Sequence, residues 1–422
     1  MNIAKNEQSR GPFLAVQLAR FGDVIQSKRL IQTLVSRGET HLLVDSSLAG
    51  LAGLVYPQAI VHGISAHKAG RDEADMLSAN SSIFAELGAM EFERVYNLNF
   101  SGLNYALAAL FDPDVVSGYK SVNGARTKDA WCGMVTRWSA ARAARGINLV
   151  DFWANFDASP MAPGEVNPIA RPKGGGIGVA VAGRHSRRTL PPEVLAPIVA
   201  AAAKGAGANS INILGGKGDR KAARELSGRL PGEAASITRD LTGRTSYADL
   251  IEVVGGLDTL ITPDTGSMHL AAHLGVPVQA TFLSSAWCFE TGPYGLGHKV
   301  WQAFADCLPC LESAECTEQV KCLDGFSDRN LLKYLSGSAD FEFPAGMIGM
   351  VSVFDSLGCT YKPVLGVDPA ANERAAFRSL VAEFLGAGTA RTESAAYAAE
   401  LFKERDWMLH NERYHDNYLE FI

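Results

Sequence analysis

The strongest constraint on this chain is an alternation of short apolar runs with amphipathic helical stretches, which stops at a Pro- and Gly-rich interruption and then restarts. The run "PFLAVQLA" leads into "DVIQSKRLIQTLVSRG", where Val24, Ile25, Leu30, Ile31, Leu34 and Val35 fall at helical spacing before Gly38. "THLLVDSS", "AIVHGIS", "RVYNLNFS" and "DVVSGYK" read as further strands. Between roughly residues 157 and 176, "DASPMAPGEVNPIARPKGGG" reads as a linker. After it come "GIGVAVAG" (strand), "PPEVLAPIVAAAAKG" (helix with Pro at its start and Gly at its end), "SINILGG" (strand) and "RKAARELSGRL" (helix). "SYADLIEVVGGL", "DTLIT", a further helix and "VQATFL" complete the series. Parallel neighbours need crossover connections, so this order predicts two doubly wound α/β domains in tandem, with ligands at the carboxyl ends of their strands.

A chain of 422 residues exceeds one ordinary core, in agreement with two domains or slightly more. A hydrophobic content of 47% with 20% charged residues describes a soluble globular protein, and a net charge of -6 offers no electrostatic footprint for nucleic acid. The opening "MNIAKNEQSRG" lacks the apolar core of a secretory signal, and no apolar run reaches the ~18 residues needed to span a bilayer. The expected location is therefore the cytoplasm, with peripheral contact at a membrane surface left open. From about Ser327 the pattern turns helical, and Tyr397, Phe402, Trp407, Tyr414, Tyr418 and Phe421 are expected to pack against another domain or subunit.

Three stretches carry chemistry. In "ITPDTGSMHLAAHLGVP" a strand ends at Pro263 and a helix begins within Asp264, Thr265, Gly266 and Ser267, where unpaired N–H groups attract anions; His269 sits one turn in. Phosphate is the expected ligand, and the competing reading is a plain cap with a packed histidine. In "AGRHSRRTLPPEVL", Arg184, His185, Arg187 and Arg188 gather positive charge before a helix starting near Pro191, either as a second anion-seeking loop or as a solvated basic one. In "LARFGDVIQSKRL", a single glycine followed by Asp23 does not make a nucleotide loop. Asp23 is either an N-cap or a general base held ionised by the helix start, and the two roles are compatible. Four of the seven cysteines, Cys307, Cys310, Cys316 and Cys322, crowd into sixteen residues at gaps of two, five and five. In a reducing compartment that crowding suits free thiols or a structural metal such as Zn or Fe, although the spacing matches no standard zinc module.

"LARFGD", "NLNFSGLNYALAALF", "GRHSRRTLPP", "LGGKGDRKAAREL" and "ITPDTGSMHLAAHLGVPV", in this order over residues 12 to 283, resemble glycosyltransferase family 9, the ADP-heptose heptosyltransferases. The resemblance implies an α/β GT-B fold: two Rossmann-like domains facing a cleft, residues 1–165 on the acceptor side and 172–326 binding the nucleotide sugar. A helical extension, 327–422, is expected to serve oligomerisation or acceptor choice. It further implies Asp23 as catalytic base and a donor diphosphate held by Arg187, Arg188, Asp264, Thr265, Gly266, Ser267 and His269. Arg188 stands where many members have Lys. A ribose-binding Glu of some members falls on Ala248, which leaves adjacent Asp249 as the candidate.

The implied reaction moves heptose from ADP-heptose to a hydroxyl of a lipid-linked oligosaccharide, the lipopolysaccharide core. Protein donors would stabilise the departing diphosphate while Asp23 takes the acceptor proton, with no cofactor required for catalysis. The absence of an Asp-x-Asp pair suited to Mg²⁺ or Mn²⁺ agrees with this. The alternatives are another nucleotide sugar, a protein acceptor such as a secreted adhesin, or a non-catalytic nucleotide-sugar-binding subunit.

Overall fold

The computed structural model describes residues 11–67, 73–181, 186–311 and 315–388. They form two compact units. Unit 1 draws on Met1–Ala140, Leu149–Pro168 and Thr245–Val253, and unit 2 on Ala141–Asn148, Ile169–Arg244 and Val254–Ile422.

Unit 1 is built on β1 (Phe13–Gln17), β2 (Thr40–Asp45), β3 (Ile60–Ile64), β4 (Arg94–Asn97), β5 (Val116–Val122) and β6 (Ala125–Lys128), in the order β3-β2-β1-β4-β5-β6. All neighbours are parallel except β6, which turns back against β5. β1 is buried along its whole length. Leu14 and Val16 pack with Leu43, Val95, Leu103 and Leu107; burying each such side chain stabilises the fold by about 1.5–3 kcal/mol.

Unit 2 contains β7 (Ile177–Ala180), β8 (Ile211–Leu214), β9 (Thr238–Asp240), β10 (Thr259–Pro263), β11 (Val278–Phe282), β12 (Lys299–Ala303), β13 (Met347–Phe354) and β14 (Cys359–Leu365). Their order is β14-β13-β12-β11-β10-β7-β8-β9, parallel from β9 to β12 and antiparallel beyond. Both sheets thus reverse winding beside their first strand, between β1 and β4 and between β7 and β10. Doubly wound sheets bind ligands at the carboxyl ends of such pairs. Among the described residues no helix is long and apolar enough to cross a membrane.

Four sequence expectations change in detail. The helix beginning at Pro192 runs past Gly205 to Ala206 and ends at left-handed Gly207; Gly205 instead passes against the Leu335 carbonyl, where an added Cβ would lie 2.1 Å from the oxygen. The first helical stretch breaks at Ser27 into Phe21–Gln26 and Lys28–Val35. The first half of the linker is docked on the second of these helices. Arg29 Nε donates to Met161 O at 2.8 Å, Met161 N–H donates to Thr33 Oγ1 at 2.9 Å, and Arg37 Nη1 reaches Asp157 Oδ2 at 2.8 Å. Arg29 and Thr33, one turn apart on the helix, and Arg37, in the turn just after it, grip a segment whose composition suggested flexibility. Last, the described part of the C-terminal extension is not purely helical: β13 and β14 continue the second sheet, alongside the helices Arg329–Leu335 and Ala371–Phe384. "MIGMVSVF" is apolar except for Ser352, and a short, mostly apolar run does not by itself separate a buried strand from a buried helix. Tyr397, Phe402, Trp407, Tyr414, Tyr418 and Phe421 lie outside the described residues.

Candidate active site

Within unit 2, β10 ends at Pro263, and Thr265 takes an extended conformation as N-cap of the Gly266–His273 helix. Its hydroxyl accepts from the Met268 N–H at 3.4 Å and lies 2.9 Å from Thr262 Oγ1. The N–H groups of Gly266 and Ser267, first in the helix, have no acceptor within it. Asp264 turns inward. Its carboxylate accepts from Thr291 Oγ1 at 2.9 Å and pairs with Arg188 Nη1 at 3.6 Å and His269 Nε2 at 3.7 Å. Burial pushes this carboxyl up, but the His269 hydrogen bond, the Arg188 charge and Thr291 outweigh it and hold Asp264 below the usual carboxylate range. A buried carboxylate would repel a phosphate. What it contributes to an anion site is orientation: it holds a guanidinium and an imidazole beside the helix start.

Arg188, at the end of the short Ser186–Arg188 turn after β7, also donates through Nε to Ser285 Oγ at 2.9 Å. The Ser285 loop follows β11 and is braced from below. Arg142 Nε lies 2.9 Å from both Glu290 carboxylate oxygens, and its Nη2 donates to Ser285 O at 2.9 Å. The Arg374 guanidinium sits 3.4 Å from the centre of the Phe289 ring. Thr291, next in the chain after Glu290, then reaches Asp264. A guanidinium, an imidazole and two helix-start N–H groups at a strand-end crevice can bind an anion and stabilise growing negative charge on it.

Within unit 1, Asp23 stands in the first turn of the Phe21–Gln26 helix at the carboxyl end of β1. Its Oδ2 accepts from the Arg20 N–H at 3.0 Å. The carboxylate therefore closes the helix start, as a capping residue does, in a partly exposed position beside the β1–β4 reversal.

No curated protein sequence matches the chain. Residues 198–321 match the model of glycosyltransferase family 9 (heptosyltransferase), a segment that takes in Asp264, Thr265, Gly266, Ser267 and His269. Over that segment the chain is similar to the family 9 glycosyltransferases. Solved structures agree in fold. A family 9 glycosyltransferase from Veillonella parvula has 17% identity and a TM-score of 0.53, over 68% of this chain and 84% of that one. The E. coli ADP-heptose LPS heptosyltransferase II has 14% identity and a TM-score of 0.52, over 76% and 99%. The E. coli heptosyltransferase WaaC, solved with ADP, has 14% identity and a TM-score of 0.50, over 67% and 90%. The chain thus shares the GT-B fold of these structures, with two Rossmann-like α/β units.

Other expected site residues fall elsewhere. Asp249 is exposed, and its carboxylate closes the start of the Tyr247–Gly255 helix by accepting from the Ser246 N–H at 2.9 Å and Oγ at 2.7 Å. Those bonds lower its pKa and give it a capping role. The charge of Arg187 reaches Cys310. Arg184 and His185 lie outside the described residues.

None of the four clustered cysteines forms a disulfide among the described residues. Burial raises the Cys310 and Cys322 thiols, and the neighbouring cysteines raise them further. As placed they do not form a cage: among the described residues no three His, Cys, Asp or Glu side chains are set to hold a metal ion. Ser285 and Thr291 were not anticipated from the sequence. The rule that ligands sit beyond strand ends points to "LSSAW" after β11, whereas nothing local marks Thr291.

Proposed function

We propose that the protein is an inverting heptosyltransferase that moves heptose from ADP-heptose to a hydroxyl of a lipopolysaccharide-core acceptor in the cytoplasm, at the inner face of the membrane. The observation that carries this reading is the Arg188–Asp264–His269 cluster beside the first turn of the Gly266–His273 helix. It lies in or next to the segment shared with the heptosyltransferase family, and the relatives of like fold include an ADP-heptose enzyme and one solved with ADP.

Breaking the sugar–phosphate bond develops positive charge at the anomeric carbon and negative charge on the leaving diphosphate. Arg188, His269 and the N–H groups of Gly266 and Ser267 stabilise the leaving group, with Ser267 Oγ as a further donor. Asp23 removes the proton from the acceptor hydroxyl as its oxygen attacks the face opposite the departing ADP, so the anomeric configuration inverts. With these donors neutralising the diphosphate, the transfer needs no divalent cation. A structural Zn or Fe shared by Cys307, Cys310, Cys316 and Cys322 belongs to the same reading as a stabilising site, and it requires the four thiols to turn toward one ion.

The test is release of ADP from ADP-heptose by purified protein, with heptose-deficient lipopolysaccharide as acceptor in one arm and a Ser- and Thr-rich adhesin fragment in the other. Acceptor-dependent ADP release in the first arm supports the reading. Release in the second arm alone would move the acceptor to protein, and no release in either would remove the enzymatic assignment.

A further inference from the structure

The turn that carries Asp23 is held by side chains from several parts of unit 1. The Leu18 N–H donates to Asn99 Oδ1 at 2.8 Å, the Ala19 N–H to Gln17 Oε1 at 3.2 Å, and the Arg20 N–H to Asp23 Oδ2 at 3.0 Å. The Leu18 carbonyl accepts from His67 Nε2 at 2.5 Å. Three successive N–H groups therefore each end on a side-chain oxygen just where β1 leaves the sheet. Asp23 hangs from the last of them, so a shift of Arg20 carries the carboxylate with it.

Asn99 is itself immobilised. It follows β4, the strand beside β1 at the reversal of winding, and the residues around it form a buried polar network. Asn104 Nδ2 donates to Asn97 Oδ1 at 2.9 Å, Asn97 Nδ2 donates to Tyr119 O at 2.7 Å, and Ser101 caps the Gly102–Ala108 helix. The "NLNFSGLN" run thus fixes the backbone on both sides of the amide. Asn99 is only 8% exposed, and its Nδ2 is buried with no hydrogen-bond partner among the described residues. An unpaired buried donor is unfavourable, and an apolar side chain would avoid it. What the asparagine supplies in exchange is one acceptor aimed at Leu18. His67 reaches the same residue from the segment after β3, within range of the Asp45 charge. Asp45 is in turn held by the Ala66 N–H at 2.8 Å.

We propose that Asn99 and His67 are positioning residues for the transfer step: they lock the Leu18–Arg20 turn so that Asp23 meets the acceptor hydroxyl at a fixed place and direction. This rests on the reading of Asp23 as the base. Misplacement of a catalytic group by about 1 Å can cost on the order of 10²-fold in rate, so the effect belongs in kcat and not in donor binding.

The experiment uses Asn99→Ala, Asn99→Asp, His67→Ala and His67→Gln, each alone and combined with Asp23→Asn. ADP release is followed with whichever acceptor arm supports wild-type turnover, and amide hydrogen exchange is followed over Leu18–Arg20. The Ala variants should lose about 10- to 10²-fold in kcat with KM for ADP-heptose and affinity for ADP unchanged, and the turn amides should exchange faster. Asn99→Asp keeps an acceptor and His67→Gln keeps a donor, so both should recover most of the loss. In the Asp23→Asn background the Ala substitutions should cost nothing more, because their effect passes through Asp23. Wild-type kcat in both Ala variants, or the same fold-loss with and without Asp23, would overturn the proposal. Failure of the base reading looks different: Asp23→Asn alone would then turn over like wild type. If Asn99→Ala does not fold, the His67 pair carries the same cycle to a decision.

Discussion

Asp264 Oδ1 and His269 Nε2 meet at 3.7 Å across the first turn of the Gly266–His273 helix, with both side chains buried. The pair sets the imidazole's direction, while the other carboxylate oxygen faces Arg188 at 3.6 Å. One carboxylate thereby aligns two groups that come from separate strand ends.

Removing either aligned group should show in ADP affinity. A lost charge-assisted hydrogen bond costs about 1.5–3 kcal/mol, so His269→Ala and Arg188→Ala should each weaken ADP by roughly one to two orders of magnitude in calorimetric titration. Wild-type affinity in both would return the turn to a plain capped helix.

Asp264→Asn tests orientation in place of charge supply. It keeps the shape but loosens Arg188 and His269 together, so ADP affinity should fall although a negative charge has been removed from the neighbourhood of an anion. Tighter ADP binding would mean that Asp264 acts chiefly by repulsion.

Asp23→Asn separates chemistry from folding. Asn caps about as well as Asp, so the melting temperature should hold while turnover drops roughly 10²- to 10⁴-fold. ADP affinity should survive, since the proposed diphosphate contacts come from other residues.

A pH effect is expected from a second histidine pair. His41 Nδ1 and His62 Nε2 lie 2.8 Å apart with ring planes 8° from parallel. Burial, then the charge of His41, push His62 below its ordinary 6.5, with Glu86 opposing. As pH falls below 6.5, the unfolded chain takes up a proton at this site before the folded one does. The stabilisation is complete above 6.5 and is lost progressively as pH falls from there to the lower folded value. Denaturation midpoints should therefore decline from about pH 7 to about pH 5, and His62→Gln should flatten that slope; an unchanged slope would remove His62 as its source. The lowered carboxyls Asp157 and Asp264 act below 3.8, outside this window.

If the cysteine cluster holds a structural Zn or Fe, elemental analysis should find close to one equivalent per chain, and chelation should lower the melting temperature without abolishing transfer chemistry. Metal-free protein of full stability with four reactive thiols would reject the site.

Several elements were legible because their causes are local. The buried strands β1 and β10, the Pro-started helix from Pro192, and the Thr265 cap each follow from a few neighbouring residues. The anion-seeking character of Arg188 and the Asp264–His269 turn could be read in the same way. Asn99, His67, Ser285 and Thr291 could not, since each acts on a residue far away in sequence: Leu18 for the first two, Arg188 and Asp264 for the others. The role of Asp264 was legible only by residue type, and its inward direction depends on where Arg188 and Thr291 lie.

Neighbouring residues were thus enough to specify the two α/β units, the strand ends that carry chemistry and the helix starts that face them, because hydrophobic period and capping act over one or two turns. The packed fold was needed to establish that β13 and β14 extend the second sheet, that the linker's first half docks on Arg29, Thr33 and Arg37, and which side chains converge on Leu18 and Asp264. Those outcomes depend on strand order, and strand order is set by how whole crossovers pack, which no local window of residues contains.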